Sequence, residues 1–186
     1  MRSPLLAVGM LELLALGLEA QNTGVSTAWD VRESLAALAS QAGRLKPILD
    51  DFRVKDWIAG GAPETYLVQW KSAQDEIGHL RRTLSSLAAQ PEKLTLTLEA
   101  FLRLEALEAM LGSLGEGVRK YQNPALGELL GGITAENAAG RDKLRAYLVE
   151  LAAAKEEELR IADQEAQRCR STLIRQPARP AKKEPE

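Results

Sequence analysis

A chain of 186 residues with 24 basic and 26 acidic side chains is almost neutral, and this argues against a nucleic-acid binder, which concentrates positive charge on one face. It holds one histidine and one cysteine, so it is poor in the groups that most catalytic and metal sites use and has no intramolecular disulfide. Leucine and alanine are frequent and aromatic residues make up 4%, as in proteins built from long helices.

The first twenty residues have the pattern of a secretory signal peptide: a positive charge at Arg2, a short apolar run, and small residues toward position 20. Glu12 interrupts the apolar run, so an ordinary amphipathic helix or a misassigned start codon is the alternative. We expect residues 1–20 to be a signal peptide, the mature chain to be periplasmic or secreted, and no stable membrane span to remain after cleavage. If the leader is kept, the chain is cytoplasmic or tethered to the membrane at its N-terminus.

Residues 27–59 and 64–89 predict two amphipathic helices, because their apolar residues recur every four and three positions. Pro47 predicts a kink or restart near Lys46, since proline removes a helical hydrogen bond. Gly60-Gly61 and Pro63 predict the end of the first helix. The first apolar line is Val31, Leu35, Leu38, Ala42, Leu45, Leu49 and Phe52, and the second is Tyr66, Trp70, Ala73, Ile77, Leu80, Leu84 and Leu87.

A third helix is predicted over residues 91–122, and a fourth from Thr134 to about residue 175. Between them, Asn123-Pro124 restarts the chain with a cap, and Gly131-Gly132 interrupts a short apolar turn. The third line is Leu94, Leu98, Phe101, Leu104, Leu107, Leu111, Leu114, Val118 and Tyr121, and the fourth is Leu144, Leu148, Leu151, Leu159, Ala162, Ala166, Cys169 and Leu173. Residues 177–186, rich in proline, lysine and glutamate, predict a disordered tail.

Four such helices with short connections predict an all-α fold, an antiparallel up-down four-helix bundle over residues 21–176. At 1.5 Å per residue the last helix is about 63 Å long, against about 39 and 48 Å for the two before it. Its end, from about Glu158, therefore overhangs the bundle. A narrow line of Ala162, Ala166 and Cys169 there is able to pair with a second copy or a partner helix, the alternative being a solvated helix end.

This topology brings the 57–66 and 121–137 connections to one end of the bundle. Aromatic and amide side chains able to offer contact area and hydrogen bonds collect there. The candidate ligand or partner site consists of Trp57, Tyr66, Trp70, Tyr121, Asn123, Glu136 and Asn137. The alternative is that these aromatic residues close the end of the bundle.

Catalytic patterns are weak throughout. Glu76 and His79 have the Glu-x-x-His spacing of di-iron bundles, but such sites need a second pair and the chain has no second histidine. Neither a nucleophile elbow nor a phosphate-binding glycine loop is present in the sequence. We therefore predict a protein that is not an enzyme and that takes no cofactor or metal.

Two functions follow. The first is an exported protein-interaction or structural adapter, with a protein partner or a homodimer formed through the C-terminal helix. In an oxidising compartment Cys169 is expected either to be buried or to pair with another chain. The second is a small-molecule or peptide carrier that uses the aromatic end near Trp57, Trp70 and Tyr121.

Overall fold

The computed structural model describes residues 28–175, and within them every regular element is an α-helix. The predicted leader and the charged tail lie outside these residues. The helices are α1 (Ala28–Asp50), α2 (Val54–Ala59), α3 (Thr65–Ala89), α4 (Leu94–Tyr121) and α5 (Pro124–Arg175).

The four long helices form a closed ring in which each packs against two others: α1 against α3 and α5, and α4 against α3 and α5. Side-chain contacts show that neighbours run antiparallel. Arg32 near the start of α1 donates to the carbonyl of Ala88 near the end of α3, and Arg141 in α5 pairs with Glu108 in α4. The predicted all-α, antiparallel up-down four-helix bundle is therefore confirmed.

The core contains much of the first three apolar lines read from the sequence. All seven residues of the first line are buried, and the second is buried from Ala73 to Leu87. The start of α4 is out of phase with the prediction, because Thr97 and Ala100 face the core while Leu98 is 44% exposed. Tyr147 also enters the core, and its hydroxyl donates to the carbonyl of Pro91 at 2.7 Å. Burial raises the pKa of this phenol.

The first predicted helix is two helices. Pro47 lies inside α1, so the chain does not restart there, and the break comes after Asp50. At the break the side chain of Gln122 hydrogen-bonds to two backbone groups. Its Nε2 donates to the carbonyl of Asp51, and its Oε1 accepts from the amide of Arg53. A distant side chain thus replaces the hydrogen bonds that a continuous helix makes.

The predicted interruption at Gly131-Gly132 is wrong, because α5 runs unbroken from Pro124. Asn123 caps it as predicted, with its Oδ1 accepting from the amide of Ala125 at 3.0 Å. Each helical glycine costs about 1 kcal/mol relative to alanine, but packing against α4 outweighs that cost. Leu130 is buried against Gly115 of α4.

The end of α5 projects beyond the bundle. Leu151 is its last buried residue, and every residue from Glu156 to Ile174 is exposed. This free segment, residues 156–174, is about 28 Å long at 1.5 Å per residue. The predicted overhanging C-terminal helix is therefore confirmed, with its start two residues earlier than expected.

Candidate functional site

Four aromatic side chains form a chain of ring contacts at the end of the bundle where α2 lies. The rings of Phe52 and Trp57 are 5.4 Å apart, those of Trp57 and Tyr66 are 5.8 Å apart in an edge-on arrangement, and those of Tyr66 and Tyr121 are 6.1 Å apart. We call these four residues the aromatic cap. Edge-on aromatic pairs add stability beyond the area that they bury. The cap thus closes this end of the bundle.

Gln122 holds the cap to the α1–α2 connection. Its Oε1 accepts from the indole nitrogen of Trp57 at 2.9 Å and from the amide of Arg53 at 2.8 Å, and its Nε2 donates to the carbonyl of Asp51 at 3.0 Å. The neighbouring Asn123 belongs to the predicted site, whereas Gln122 does not. No local pattern distinguishes Gln122, because its partners lie about seventy positions away in the chain.

Gly117 allows α4 to approach the cap. A Cβ atom built on this glycine would lie 2.8 Å from Cε1 of Tyr66 and 3.0 Å from Cζ3 of Trp57. The first distance is shorter than real Cβ contacts allow and the second is very tight, so the two rings occupy the space that a larger residue at position 117 would need. Gly117 therefore has a packing role.

The structure brings together only part of the predicted site. Trp57, Tyr66 and Tyr121 touch in the cap, whereas Trp70 lies on the flank, where its indole nitrogen donates to the carbonyl of Leu49 at 2.7 Å. Asn123 acts as the helix cap of α5. Both indole N–H groups have acceptors within the protein, so a ligand at this end would meet ring surfaces and no free indole donor.

Glu136 and Asn137 are not part of this cluster. Because α5 starts at Pro124 instead of Thr134, they lie about 18 Å along the helix from its first residue. Glu136 pairs with Arg44 of α1. Asn137 is buried in the core, and neither polar atom of its side chain has a hydrogen-bond partner among the described residues.

A second partly satisfied polar group lies between α4 and α5. Oε2 of Glu108 accepts from Arg141 at 2.6 Å, while its Oε1 is buried with no partner among the described residues. Burial raises the pKa of the Glu108 carboxyl, and Arg141 opposes part of that rise. The Glu108 side chain is 13% exposed and lines a cavity of about 300 Å³ between α4 and α5.

The two residues of the Glu-x-x-His pattern, Glu76 and His79, interact with different side chains. Glu76 accepts from Arg103 of α4 at 2.9 Å, and Nδ1 of the exposed His79 lies 2.9 Å from the guanidinium of Arg82. Within residues 28–175 no group of three or more His, Cys, Asp or Glu side chains is placed to hold a metal ion. The same residues include no helix long and apolar enough to cross a bilayer.

Two cavities are relevant to binding. One of 250 Å³ lies beside the aromatic cap and is lined by Phe52, Val54, Trp70 and the polar residues 53, 55 and 56. The other, of 320 Å³, lies at the opposite end between α1 and α5. Its lining is mostly apolar and includes Val31, Leu38 and Tyr147.

The free segment of α5 carries large apolar side chains in water. Leu159 is 72% exposed and Leu173 is 62% exposed. Cys169, the single cysteine of the chain, is also exposed. Glu157 pairs with Arg160, and Lys155 with Glu158, so the ion pairs of this part of α5 are between residues three apart on the same helix.

Searches of protein-family models, of curated proteins and of solved structures found no match to this chain.

Proposed function

We propose that this protein is an exported, non-catalytic adapter that binds a helical partner through the free segment of α5. The observation that carries the proposal is the continuous run of exposed helix from Glu156 to Ile174, which bears an apolar line but buries none of it against the described bundle. Isolated helices are marginal in water, and most helical stability comes from packing an apolar face. A partner helix would supply that packing.

Export is supported by the leader pattern at residues 1–20. Mass spectrometry of the N-terminus of the protein isolated from its native host tests it directly. A mature chain that starts near residue 21 supports export, and a chain that retains its first residues contradicts it.

Site-specific photo-crosslinking tests the adapter function. A photoreactive residue in place of Ala162 should give a discrete crosslinked protein species in the native host, because this position lies on the apolar line of the free segment. Gln164 is the matched control, since two residues along a helix place it on nearly the opposite side. Identical patterns from the two positions, or no crosslinked protein at either, would contradict the proposal.

The cavity beside the aromatic cap favours one other function, a carrier for a small apolar molecule or peptide. Phe52 and Trp70 both line it, so a ligand there should change tryptophan fluorescence. A saturable change that Trp70→Phe removes would support the carrier. A Trp70-dependent signal that stays constant across a broad ligand screen would count against it.

A further inference from the structure

The free segment of α5 divides into two blocks of opposite charge. Residues 156–165 hold five acidic side chains and one arginine, and residues 166–175 hold three arginines and no acidic side chain. The negative end of the helix dipole favours the arginines, which lie in the last turns of α5. It does not explain the acidic block, because that block begins more than thirty residues from the positive end of the same helix.

An apolar line runs through both blocks. Its members recur at intervals of three and four, as in the seam of a coiled coil, and are Leu159, Ala162, Ala166, Cys169 and Leu173. Asp163 and Arg170 flank the line on one side, a heptad apart. No ion pair of the described residues involves either of them.

We propose that the partner of the free segment is a second copy of this chain, bound with the two α5 helices antiparallel. This inference rests on the proposed function and names the partner. Antiparallel pairing places the acidic block of each copy opposite the basic block of the other. Parallel pairing places like blocks together.

The flanking charges select one register. Core positions must face core positions, so the register of an antiparallel pair changes in steps of seven residues. When Ala162 faces the partner's Leu173, Asp163 lies beside the partner's Arg170, and the two-fold axis repeats this ion pair. In this register the large side chain of the partner's Leu173 packs against the small side chain of Ala162.

The neighbouring registers oppose like charges. One step toward the bundle sets Asp163 against the partner's Asp163 and Glu165 against the partner's Glu165. One step away sets Arg170 against the partner's Arg170. Only the register between them gives complementary charges on this side of the seam.

The antiparallel arrangement also leaves room for the rest of the molecule. Leu151 is the last residue of α5 that the bundle buries, so the overlapping segments lie beyond both bundles. The two bundles then lie at opposite ends of the pair. A parallel pair would force them side by side and would set Glu158 against the partner's Asp163.

Two charge reversals test the proposal by sedimentation equilibrium of the purified chain. The unmodified chain should show a concentration-dependent dimer. Asp163→Arg and Arg170→Asp should each raise the dimer dissociation constant about tenfold or more, because each opposes like charges at both symmetric positions. An equal mixture of the two variants should recover a dimer with one copy of each, since both contacts then join an arginine to an aspartate.

Glu157→Arg is the matched control, because it reverses a charge on the side of the helix away from the seam, and it should leave the dissociation constant unchanged. All three positions are exposed, and circular dichroism checks that the variants keep their helix content. The proposal is overturned if the unmodified chain stays a monomer at every concentration. It is equally overturned if Asp163→Arg dimerises as well as the unmodified chain or better, the latter being the result expected of a parallel pair.

Failure of this inference is distinguishable from failure of the adapter function. A monomeric chain that still crosslinks through Ala162 to a different protein contradicts the second copy and keeps the adapter. A monomeric chain with no crosslink at that position contradicts both.

Discussion

The two ends of the bundle differ. At one end α2 and the aromatic cap cover the helix ends, and the side chain of Gln122 hydrogen-bonds to the backbone between α1 and α2. At the other end α5 continues alone beyond its neighbours. At the capped end both indole nitrogens have acceptors inside the protein. At the open end Leu159 and Leu173 face water. The capped end is closed by ring contacts and internal hydrogen bonds and needs no further molecule. The exposed apolar line of α5 would gain stability from a partner molecule that covers it.

The contrast separates residues that stabilise the fold from residues that are available for binding. Substitutions in the cap should lower stability strongly, and changes in the free segment should leave the bundle almost unaffected.

Trp57→Ala should lower the free energy of unfolding by about 3–5 kcal/mol, the range for removing a large buried aromatic side chain. Trp57 is only 1% exposed and contacts two other rings of the cap. Urea denaturation followed by circular dichroism measures the change. A loss below about 1 kcal/mol would mean that the cap contributes little to the fold.

Gln122→Ala should cost about 1–3 kcal/mol, because it leaves Trp57, Arg53 and Asp51 without their hydrogen-bond partner. The neighbouring substitution Asn123→Ala removes one helix cap and should cost about 1 kcal/mol. Parallel denaturation curves compare the two. A larger effect at position 123 than at 122 would contradict the role given to Gln122.

Gly117→Ala and Gly112→Ala should change stability in opposite directions. The added methyl at position 117 meets Tyr66 and Trp57, and overpacking of this kind costs about 1–3 kcal/mol. At position 112 no neighbour lies within 4 Å of the added atom, so the better helix propensity of alanine should stabilise the protein by up to about 1 kcal/mol. Thermal unfolding of the pair gives both signs in one experiment.

Glu108→Gln should make the stability of the protein less dependent on pH in the acidic range. The folded-state pKa of Glu108 is raised by burial, so the folded protein binds this proton more tightly than the unfolded chain does. Stability from this group is therefore present at low pH and is lost as the pH rises through the folded-state pKa. The variant should gain stability relative to the unmodified chain as the pH rises above the ordinary glutamate pKa of about 4.3, as denaturation at several pH values would show. If the variant instead became steadily less stable than the unmodified chain as the pH rises, the raised pKa of Glu108 would be contradicted.

A chain that ends at Lys155 should unfold with nearly the same free energy as the full chain, within about 0.5 kcal/mol, because no residue from Glu156 to Ile174 is buried. The measurement uses dilute protein, at which the proposed dimer dissociates. A markedly less stable truncated chain would show that the free segment supports the bundle in cis.

The architecture was readable from the sequence because each long helix keeps one apolar line, and such lines have few ways to become buried. The limits of that reading are local. Leu98 fits the apolar spacing of α4, yet it is 44% exposed, and Thr97 and Ala100 are buried in its place. Gly131-Gly132 has the sequence of a break, yet packing against α4 keeps the helix continuous.

The candidate site was harder to predict from the sequence, because its geometry also depends on local packing and on where each helix begins. Proximity of Trp57, Tyr66 and Tyr121 followed from topology alone and was predicted correctly. The placement of Glu136 and Asn137 depended on where α5 begins, and a ten-residue difference in that start moved both along the helix. Gln122 has a role that only the folded chain reveals, since its partners are brought to it by the packing of α4 against the first connection.

Because α5 is one unbroken helix, it fixes the distance between the capped end of the bundle and the tip of the free segment. Its 52 residues span about 78 Å from Pro124, next to the aromatic cap, to Arg175. Because the helix is unbroken over this length, a molecule bound near its tip is held at a set separation from the capped face. Inserting one heptad between Leu151 and Leu159 would lengthen that separation by about 10.5 Å, and deleting one would shorten it equally, while the binding face turns by only about 20°. The helix is therefore an adjustable spacer.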